Sequence, residues 1–290
     1  MNIDGETRIL GIIGYPIRHT KSPLIHNLIA KRQGQNLIYV PFEVESDAAL
    51  AVQGAYALGI TGMNVTVPYK TTVMESLAGV EELAGRIGAV NTLVRTEAGF
   101  QGYNTDISGL ERELSSEGIL LAGRHVLLLG AGGAARAAAF LCAKERAASV
   151  ILLNRTLQKA EAIAQDVRAY LEETEAAEET EVRAMPFDSY PELAKERYIV
   201  FQCTQLGLYP RVEEAVIEDS AFYEMAEVGI DLIYNPRVTK FMRLVEENGG
   251  RAYNGLKMLL YQAVRAYELW TKTTVSDEIV DEVYERLLIG

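Results

Sequence analysis

Short apolar runs alternate with segments of helical periodicity along the chain, and this alternation is typical of α/β folds. The apolar runs of the first third predict strands at three places: 8–13 ("RILGII"), 37–42 ("LIYVPF") and 61–67 ("TGMNVTV"). Helices are expected between these strands, one starting at Ser22 as N-cap before Pro23, and one over 47–58. "GAVNTLVR" and "GFQGYN" predict a strand–turn–strand pair, with an amphipathic helix from Asp106 to about Glu117.

A second series of strands and helices begins at "RHVLLLGAGGAARAAAF", and "SVILLNRT", "YIVFQCT" and "VGIDLIY" are its further strands. A helix should start at Thr156, and the acidic run 172–181 is expected to be a solvated helix end or loop. The last 40 residues have helical periodicity. We therefore predict two α/β domains, 1–105 plus 255–290 and 106–254, with the C-terminal helices returning to the first.

Composition excludes several classes of protein. The 290 residues are 49% apolar and 23% charged, as in ordinary globular proteins, and the net charge of −12 would repel nucleic acid. A small anionic ligand is still compatible, because local cations outweigh distant charges within a Debye length of about 8–10 Å. Two separated cysteines and three scattered histidines predict no metal site. No secretory signal or membrane-spanning run is visible, so we expect a cytoplasmic protein.

The segment "HVLLLGAGGAAR" predicts a dinucleotide site, because a buried strand runs through glycines into a helix. Gly130, Gly132 and Ala135 match the pattern G-x-G-x-x-A. Gly130 permits the tight turn, Gly132 lets the backbone approach a pyrophosphate, and Ala135 lets the helix pack closely. The helix N-terminus supplies free amides and a positive dipole for the phosphates.

The end of the next strand predicts which dinucleotide binds. NAD sites usually have Asp or Glu there for the ribose 2′-hydroxyl, but this chain has Asn154 followed by Arg155. Arg155 and Lys159 can lie on one side of the helix start and, with the hydroxyl of Thr156, form a pocket for a 2′-phosphate. NADP is therefore the expected cofactor.

Polar side chains follow the predicted strands of the first domain. Lys70 follows the strand that stops at "VPYK", Asn91 lies in "GAVNTL", and Asp106 follows "GYNTD". Thr20 and Ser22 lie on the loop after the first strand. Hydroxyl, amide, ammonium and carboxylate groups suit a polyhydroxylated carboxylate ligand. A Lys–Asp pair can exchange a proton with a hydroxyl while a hydride leaves its carbon.

These motifs resemble the shikimate dehydrogenase family over nearly the whole chain. The resemblance rests on "GYPIRHTKSPLIHN", "MNVTVPYK", "GAVNTL", "GYNTD", "GAGGAAR", "NRT", "IYNPRVTKF" and "NGLKMLLYQA", in this order. It implies NADPH-dependent reduction of 3-dehydroshikimate to shikimate in aromatic amino acid biosynthesis. The expected partner is therefore this small-molecule substrate, and a homodimer is a possible assembly.

The resemblance also implies roles for individual residues. Lys70 and Asp106 would be the catalytic pair. The substrate would be held by Thr20, Ser22, Thr66, Asn91 and Gln262, with Tyr234 lining the same cleft. NADP would be held by Gly130, Ala131, Gly132, Gly133 and Ala134, and by Asn154, Arg155, Thr156 and Lys159. Leu232 and Gly255 would lie near the nicotinamide.

Two alternatives stay open. A quinate/shikimate dehydrogenase using NAD or NADP is the nearest, since "YPIRH" and "YNPRVTK" resemble that branch as well. That branch tends to have an acidic residue after the second strand, which this chain lacks. The other alternative is a non-catalytic NADP sensor, which would have no reason to keep both Lys70 and Asp106.

Overall fold

Residues 3–289, the part of the chain that the computed structural model describes, form two α/β units with one six-stranded sheet each. The first unit contains the chain up to Gly109 and from Leu259 onward, and the second runs from Leu110 to Met258. The fold class predicted from the sequence is confirmed, including the C-terminal helices that belong to the first unit. No helix within 3–289 is long and apolar enough to cross a bilayer.

The first unit is built on a mixed sheet. Its elements before the chain passes into the second unit are, in chain order, β1 (Arg8–Gly14), α1 (Ser22–Arg32), β2 (Leu37–Glu43), α2 (Ala48–Ala57), β3 (Gly62–Val65), β4 (Gly79–Val80), α3 (Glu82–Ile87), β5 (Thr92–Thr96) and β6 (Gly99–Tyr103). The next helix, α4 (Thr105–Ser116), begins in the first unit and ends in the second. The sheet order is β2-β1-β3-β5-β6-β4. β1 pairs in parallel with β2 and β3, while β5 is antiparallel to β3 and β6.

This order brings several chain ends to one edge of the first sheet. β1 and β3 end there, because they are parallel. β5 starts there, since Thr92 is the register partner of Asn64 near the end of β3, and β6 ends there with Tyr103 opposite Thr92. The loops that carry the predicted catalytic and substrate residues of this unit therefore leave from the same edge.

The second unit has an all-parallel sheet. Its elements are β7 (His125–Leu129), α5 (Gly133–Lys144), β8 (Ser149–Leu153), α6 (Leu157–Glu173), β9 (Glu181–Met185), β10 (Tyr198–Gln202), α7 (Ser220–Tyr223), β11 (Ala226–Asp231), α8 (Lys240–Glu247) and β12 (Arg251–Asn254). The order β9-β8-β7-β10-β11-β12 is that of the doubly wound dinucleotide-binding fold, whose ligands bind at the carboxyl ends of the strands. β8 and β10 are buried along their whole length, because helices cover both faces of such a sheet.

Two helices, α9 (Leu256–Thr271) and α10 (Asp277–Ile289), complete the first unit. The indole of Trp270 in α9 lies against Gly62 of β3, where a Cβ atom would clash with the ring. Its Nε1 donates to the Leu93 carbonyl at 2.9 Å. Arg32 of α1 forms an ion pair with Glu282 of α10. The sequence predicts α9 and α10 from periodicity, and these contacts explain why they pack on the N-terminal sheet.

Candidate active site

The loop after β3 carries Lys70 on a backbone that is held from both sides. The hydroxyl of Tyr69 donates to the Val44 carbonyl at 2.6 Å, and its amide donates to the Thr66 carbonyl at 2.9 Å. On the other side, the Val90 amide donates to the Lys70 carbonyl at 2.8 Å. β3 ends at Val65, two residues earlier than predicted, and Pro68 cannot donate to a neighbouring strand. Lys70 therefore projects from a short and well-anchored loop.

Lys70 and Asp106, which lie 36 positions apart in the sequence, meet in the first unit. Lys70 Nζ donates to Asp106 Oδ2 at 2.6 Å, and the two side chains are 27% and 13% exposed. Asp106 lies in the first turn of α4, where the helix dipole favours a carboxylate, and its amide donates to Asn104 Oδ1 at 3.1 Å. The pair is a partly buried ion pair that a small molecule can reach.

Asn91 fixes the other side of the Asp106 carboxylate. Its Nδ2 donates to Asp106 Oδ1 at 2.8 Å, while its Oδ1 accepts from the Thr105 amide at 2.7 Å. The hydroxyls of Thr105 and Thr92 also donate to Asn91 Oδ1, at 3.1 and 3.0 Å. Gln262 Oε1 lies 3.5 Å from both Asn91 Nδ2 and the Thr105 hydroxyl. Asn91 is buried, so its contacts connect α4, β5 and α9 around Asp106.

The hydroxyls predicted to bind substrate surround the start of α1 and the end of β3. The predicted N-cap at Ser22 is wrong by one residue, because Lys21 is the N-cap and Ser22 is the first helical residue. The Ser22 amide donates to Thr20 Oγ1 at 3.3 Å, and the Thr20 hydroxyl donates to Ser22 Oγ at 3.2 Å. Thr66 follows β3, and its methyl group packs so closely on Gly14 that a Cβ at Gly14 would clash.

The glycine-rich turn of the second unit has the geometry of a phosphate cradle. Gly130 has φ +116°, which favours glycine, and a Cβ there would lie 3.0 Å from Thr204 Cγ2. At Gly132 and Gly133 a Cβ would meet nothing within 4 Å, so the N-terminus of α5 is open. Ala135 is fully buried against the sheet. The Gly130 amide donates to the Leu153 carbonyl at 2.8 Å, so Gly130 forms the turn and the amides that follow it are the ones offered to an anion.

The segment after β8 leaves two cations in solvent. Asn154 Nδ2 donates to the Thr156 carbonyl at 2.8 Å, and the Lys159 amide donates to the same carbonyl at 3.1 Å. Arg155, Thr156 and Lys159 are exposed. Within residues 3–289 no carboxylate forms an ion pair with Arg155 or Lys159. The free cations and the neutral Asn154 fit the extra phosphate of NADP better than a bare ribose hydroxyl.

Leu232 and Gly255 lie together at the carboxyl ends of β11 and β12. The Leu232 amide donates to the Gln202 carbonyl at 3.0 Å, and the Gly255 amide donates to the Ile233 carbonyl at 3.1 Å. A Cβ at Gly255 would lie only 2.5 Å from the Leu232 carbonyl oxygen. Tyr234 follows on the same loop of the second unit, and burial raises the pKa of its hydroxyl. The other five predicted substrate residues lie in the first unit.

Sequence reasoning missed a buried polar network in the second unit. Asp231 at the end of β11 accepts from the Thr239 hydroxyl at 2.6 Å and from Gln202 Nε2 at 3.3 Å. Burial raises the pKa of the Asp231 carboxyl to about 6, although the donors from Thr239, Ile233 and Gln202 act in the opposite direction. The sequence signal was a single carboxylate within the apolar run "VGIDLIY". Among residues 3–289 no cluster of His, Cys, Asp or Glu could hold a metal ion.

Three family models match the chain. The shikimate dehydrogenase substrate-binding domain matches 12–93, the shikimate/quinate 5-dehydrogenase model matches 113–239, and the shikimate 5′-dehydrogenase C-terminal domain matches 255–287. The match to 12–93 lies in the first unit, and the match to 255–287 lies largely in it. The match to 113–239 lies in the second unit.

Known proteins resemble the chain over nearly its whole length. The shikimate dehydrogenase (NADP(+)) of Moorella thermoacetica is 37% identical, with 98% of this chain and 94% of that protein covered. A crystal structure of a shikimate dehydrogenase in complex with NADP+ has a TM-score of 0.87 at 34% identity, covering 99% of this chain and 97% of that one. The Listeria monocytogenes enzyme, solved with shikimate and NAD, has a TM-score of 0.88 at 28% identity, covering 99% and 98%. The resemblance inferred from the motifs is confirmed, and the chain belongs to the shikimate dehydrogenase family.

Proposed function

We propose that this protein is an NADP-dependent shikimate dehydrogenase, which interconverts 3-dehydroshikimate and shikimate as a step of aromatic amino acid biosynthesis. The observation that carries the proposal is the contact of 2.6 Å between Lys70 Nζ and Asp106 Oδ2, at the edge of the first sheet. The family membership supports the reaction class. The open α5 N-terminus and the free cations Arg155 and Lys159 support the cofactor.

The pair Lys70 and Asp106 exchanges the substrate proton. In the direction of shikimate oxidation, the reacting hydroxyl gives its proton to the neutral amine form of Lys70, which becomes the ammonium that pairs with Asp106, while the carbon loses a hydride and the C–O single bond becomes a carbonyl. When bound, NADP would supply the acceptor for that hydride, and NADPH would supply the donor in the reverse direction. Asp106 orients the Lys70 amine and balances its charge. Asn91 holds Asp106 through the bond of 2.8 Å between Nδ2 and Oδ1.

The remaining predicted residues bind and orient the ligands. We assign the hydroxyls and carboxylate of shikimate to Thr20, Ser22, Thr66 and Gln262 with Asn91, and one further contact to Tyr234. We assign the pyrophosphate to the segment 130–134, in which Gly130 forms the turn, and the 2′-phosphate to 154–156 and Lys159. Leu232 and Gly255 face the nicotinamide. The domains 1–105 plus 255–290 and 106–254, a homodimer and a cytoplasmic location stay predictions.

A spectrophotometric assay of the purified protein tests the proposal. Shikimate and quinate are each supplied with NADP or NAD, and reduced nicotinamide is followed at its absorbance band. Turnover that is fastest with shikimate and NADP is the expected result. Comparable turnover of quinate, or equal use of NAD, would favour the quinate/shikimate dehydrogenase. NADP binding without turnover of either acid would favour the non-catalytic sensor.

A further inference from the structure

Three buried polar side chains connect the carboxyl ends of β10 and β11. Gln202 ends β10, Asp231 ends β11, and Thr239 precedes α8; all three are at most 1% exposed. Gln202 and Asp231 are direct register partners. Asp231 Oδ1 accepts from Gln202 Nε2 at 3.3 Å and its Oδ2 accepts from the Thr239 hydroxyl at 2.6 Å. We call these three residues the loop clamp.

Gln202 binds the loop that follows β10. Its Oε1 accepts from the amide and the hydroxyl of Thr204, at 2.6 and 2.7 Å. Its Nε2 donates to the Leu206 carbonyl at 3.0 Å, in addition to Asp231. The Thr204 hydroxyl in turn accepts from the Leu206 amide at 3.2 Å. One buried amide group therefore determines the course of the first residues of this loop.

Asp231 and Thr239 hold the loop that follows β11 at both of its ends. Asp231 Oδ1 accepts from the Ile233 amide at 3.0 Å, which turns the chain around Leu232. Thr239 binds Asp231 through its hydroxyl hydrogen and, as the N-cap of α8, accepts from the Met242 amide at 3.3 Å. The intervening residues, 232–238, include Leu232 and Tyr234.

The two loops also lie close together at Gly207. Gly207, with φ +101°, lies where a Cβ would be 3.4 Å from Thr239 Cβ and 3.6 Å from Ile233 Cδ1. A displacement of Thr239 or Ile233 would therefore change the position of both loops. Burying an ionisable carboxylate is costly, and an apolar cluster of the same shape often gives equal or greater stability. The network thus suggests a requirement for precise loop position rather than for stability.

We propose that Gln202, Asp231 and Thr239 are positioning residues, which hold Leu232 and Tyr234 in the geometry that bound NADP and shikimate require. The inference rests on the proposed function, since it gives Leu232 and Tyr234 their ligands. None of the three clamp residues needs to touch either ligand. They act by fixing the two loops at the carboxyl ends of adjacent strands, where this fold binds its ligands.

Substitutions at Asp231 and Thr239 test the clamp. Asp231→Asn keeps the shape and two acceptor contacts but loses the acceptor for Thr239, and Thr239→Val removes the hydroxyl. We expect each to lower kcat at least about tenfold, because small misplacements near reacting groups can cost as much as about a hundredfold. The Kd for NADPH, measured by fluorescence titration, should rise about threefold or more, the effect expected if the displaced loop after β11 makes one neutral hydrogen bond fewer to the cofactor. Thr239→Ser keeps the hydroxyl and should restore both values.

A matched control separates position from stability. Thr239→Val also removes the N-cap of α8, so the control Asp219→Ala removes the N-cap of α7 in the same unit. Asp219 accepts from the Ala221 amide at 3.0 Å and from the Tyr190 hydroxyl, but binds neither loop. Its variant should lose thermal stability while keeping kcat and NADPH affinity. Gln202→Met combined with Thr239→Val should be less than additive, since both act through one network.

The outcomes distinguish the clamp from the proposed function. If the wild-type protein oxidises shikimate and both clamp variants keep its kcat and NADPH affinity, the clamp is overturned alone. The clamp is also overturned if Asp219→Ala, at the same melting temperature as the clamp variants, loses as much kcat and NADPH affinity as they do. The same holds if Thr239→Ser fails to restore the kcat and the NADPH affinity that Thr239→Val loses. A wild-type protein that binds NADPH without oxidising shikimate overturns the proposed function, and the clamp then stands or falls on the NADPH affinities.

Discussion

Lys70 combines an anchored backbone with a side chain that solvent can reach. Its carbonyl accepts from the Val90 amide at 2.8 Å, whereas its side chain, whose amine binds Asp106, is 27% exposed. Asp106 keeps its position independently, because Asn91 binds its second oxygen and α4 carries its backbone. Without the Lys70 amine, Asp106 keeps the hydrogen bond from Asn91 Nδ2 at 2.8 Å and its place in the first turn of α4, so its carboxylate is not left without a partner. Removing the Lys70 amine should therefore affect the chemistry far more than the fold.

Lys70→Ala should lower kcat by about 10²–10⁴, the usual contribution of a general acid or base, while changing the KM for shikimate only a few-fold. Steady-state kinetics with NADP in excess measures both constants, and calorimetry should show a melting temperature close to that of the wild type. Lys195→Ala, which truncates an exposed lysine of the second unit, is the control and should change neither constant. A variant that loses affinity for shikimate but keeps kcat would contradict proton exchange by Lys70.

At the scale of the elements, the sequence predicts what is local and misses what depends on register. Strands and helices were identifiable because apolar periodicity is a local signal, and Lys70 was identifiable because it follows a strand ended by proline. The contacts of Asn91 depend on the pairing of β5 with β6, because this pairing brings Thr105 next to Asn91. The contact of Gln202 with Asp231 likewise depends on the register of β10 and β11. No short-range pattern specifies either register.

The junction between β12 and α9 offers a test of the loop after β11. In Gly255→Ala the new Cβ would lie 2.5, 2.8 and 3.1 Å from the carbonyl oxygen, carbonyl carbon and Cα of Leu232. These are backbone atoms that cannot rotate away, so we expect a displaced Leu232 peptide and a stability loss of about 1–3 kcal/mol. The KM for NADP should rise or kcat should fall, as steady-state kinetics will show.

Gly54→Ala is the matched control for that substitution. Gly54 lies within α2, and a Cβ there meets nothing within 4 Å. Alanine in a helix interior should therefore raise stability by about 0.5–1 kcal/mol and leave the kinetics unchanged. Wild-type kinetics and stability in Gly255→Ala would show that the contact with the Leu232 backbone has no role.

Helix α4 contains a buried carboxyl that should make stability depend on pH. Burial, with Glu117 nearby, raises the pKa of Glu113 from 4.5 to about 8, although Lys257 acts in the opposite direction. Its Oε2 has no hydrogen-bond partner among the described residues. Between these two pKa values the folded protein keeps a proton that the unfolded chain has lost. Rising pH therefore lowers stability in this window, by about 1.4 kcal/mol per pH unit.

We expect Glu113→Gln to remove this part of the pH dependence. The melting temperature of the variant, relative to the wild type, should increase from pH 5 to pH 8 and then level off, as scanning calorimetry can measure. Carboxylates whose pKa values are lowered, such as Glu218 and Asp219, also make stability depend on pH. Their contribution cancels in this comparison, because both proteins contain them. Glu97→Gln, at an exposed turn, should follow the wild type at each pH. A constant difference between variant and wild type would contradict the raised pKa.

At the scale of the whole molecule, the net charge opposes the ligands that the site is proposed to bind. The chain carries a net charge of −12, while NADP and shikimate are anions. The repulsion of a ligand by each carboxylate depends on the distance between them. At about 0.15 M salt the Debye length is about 8 Å, so distant carboxylates are screened. Contacts within the pocket act at shorter range. The exposed cations Arg155 and Lys159, which are free of carboxylate partners among residues 3–289, can then dominate at the 2′-phosphate.

The choice between NADP and NAD should accordingly depend on Arg155 and on salt. We expect kcat/KM to favour NADP at least about tenfold, since a hydrogen bond to a charged group contributes about 1.5–3 kcal/mol. Arg155→Ala should remove about tenfold or more of that preference, and raising KCl from about 0.1 to 0.5 M should reduce it in the wild type more than in the variant, because exposed charges are screened. The control is Arg251→Ala, an exposed arginine at the amino end of β12, opposite the edge where dinucleotides bind in this fold. Equal kcat/KM for the two cofactors in the wild-type protein, or an effect of Arg251→Ala as large as that of Arg155→Ala, would rule out a 2′-phosphate pocket at Arg155.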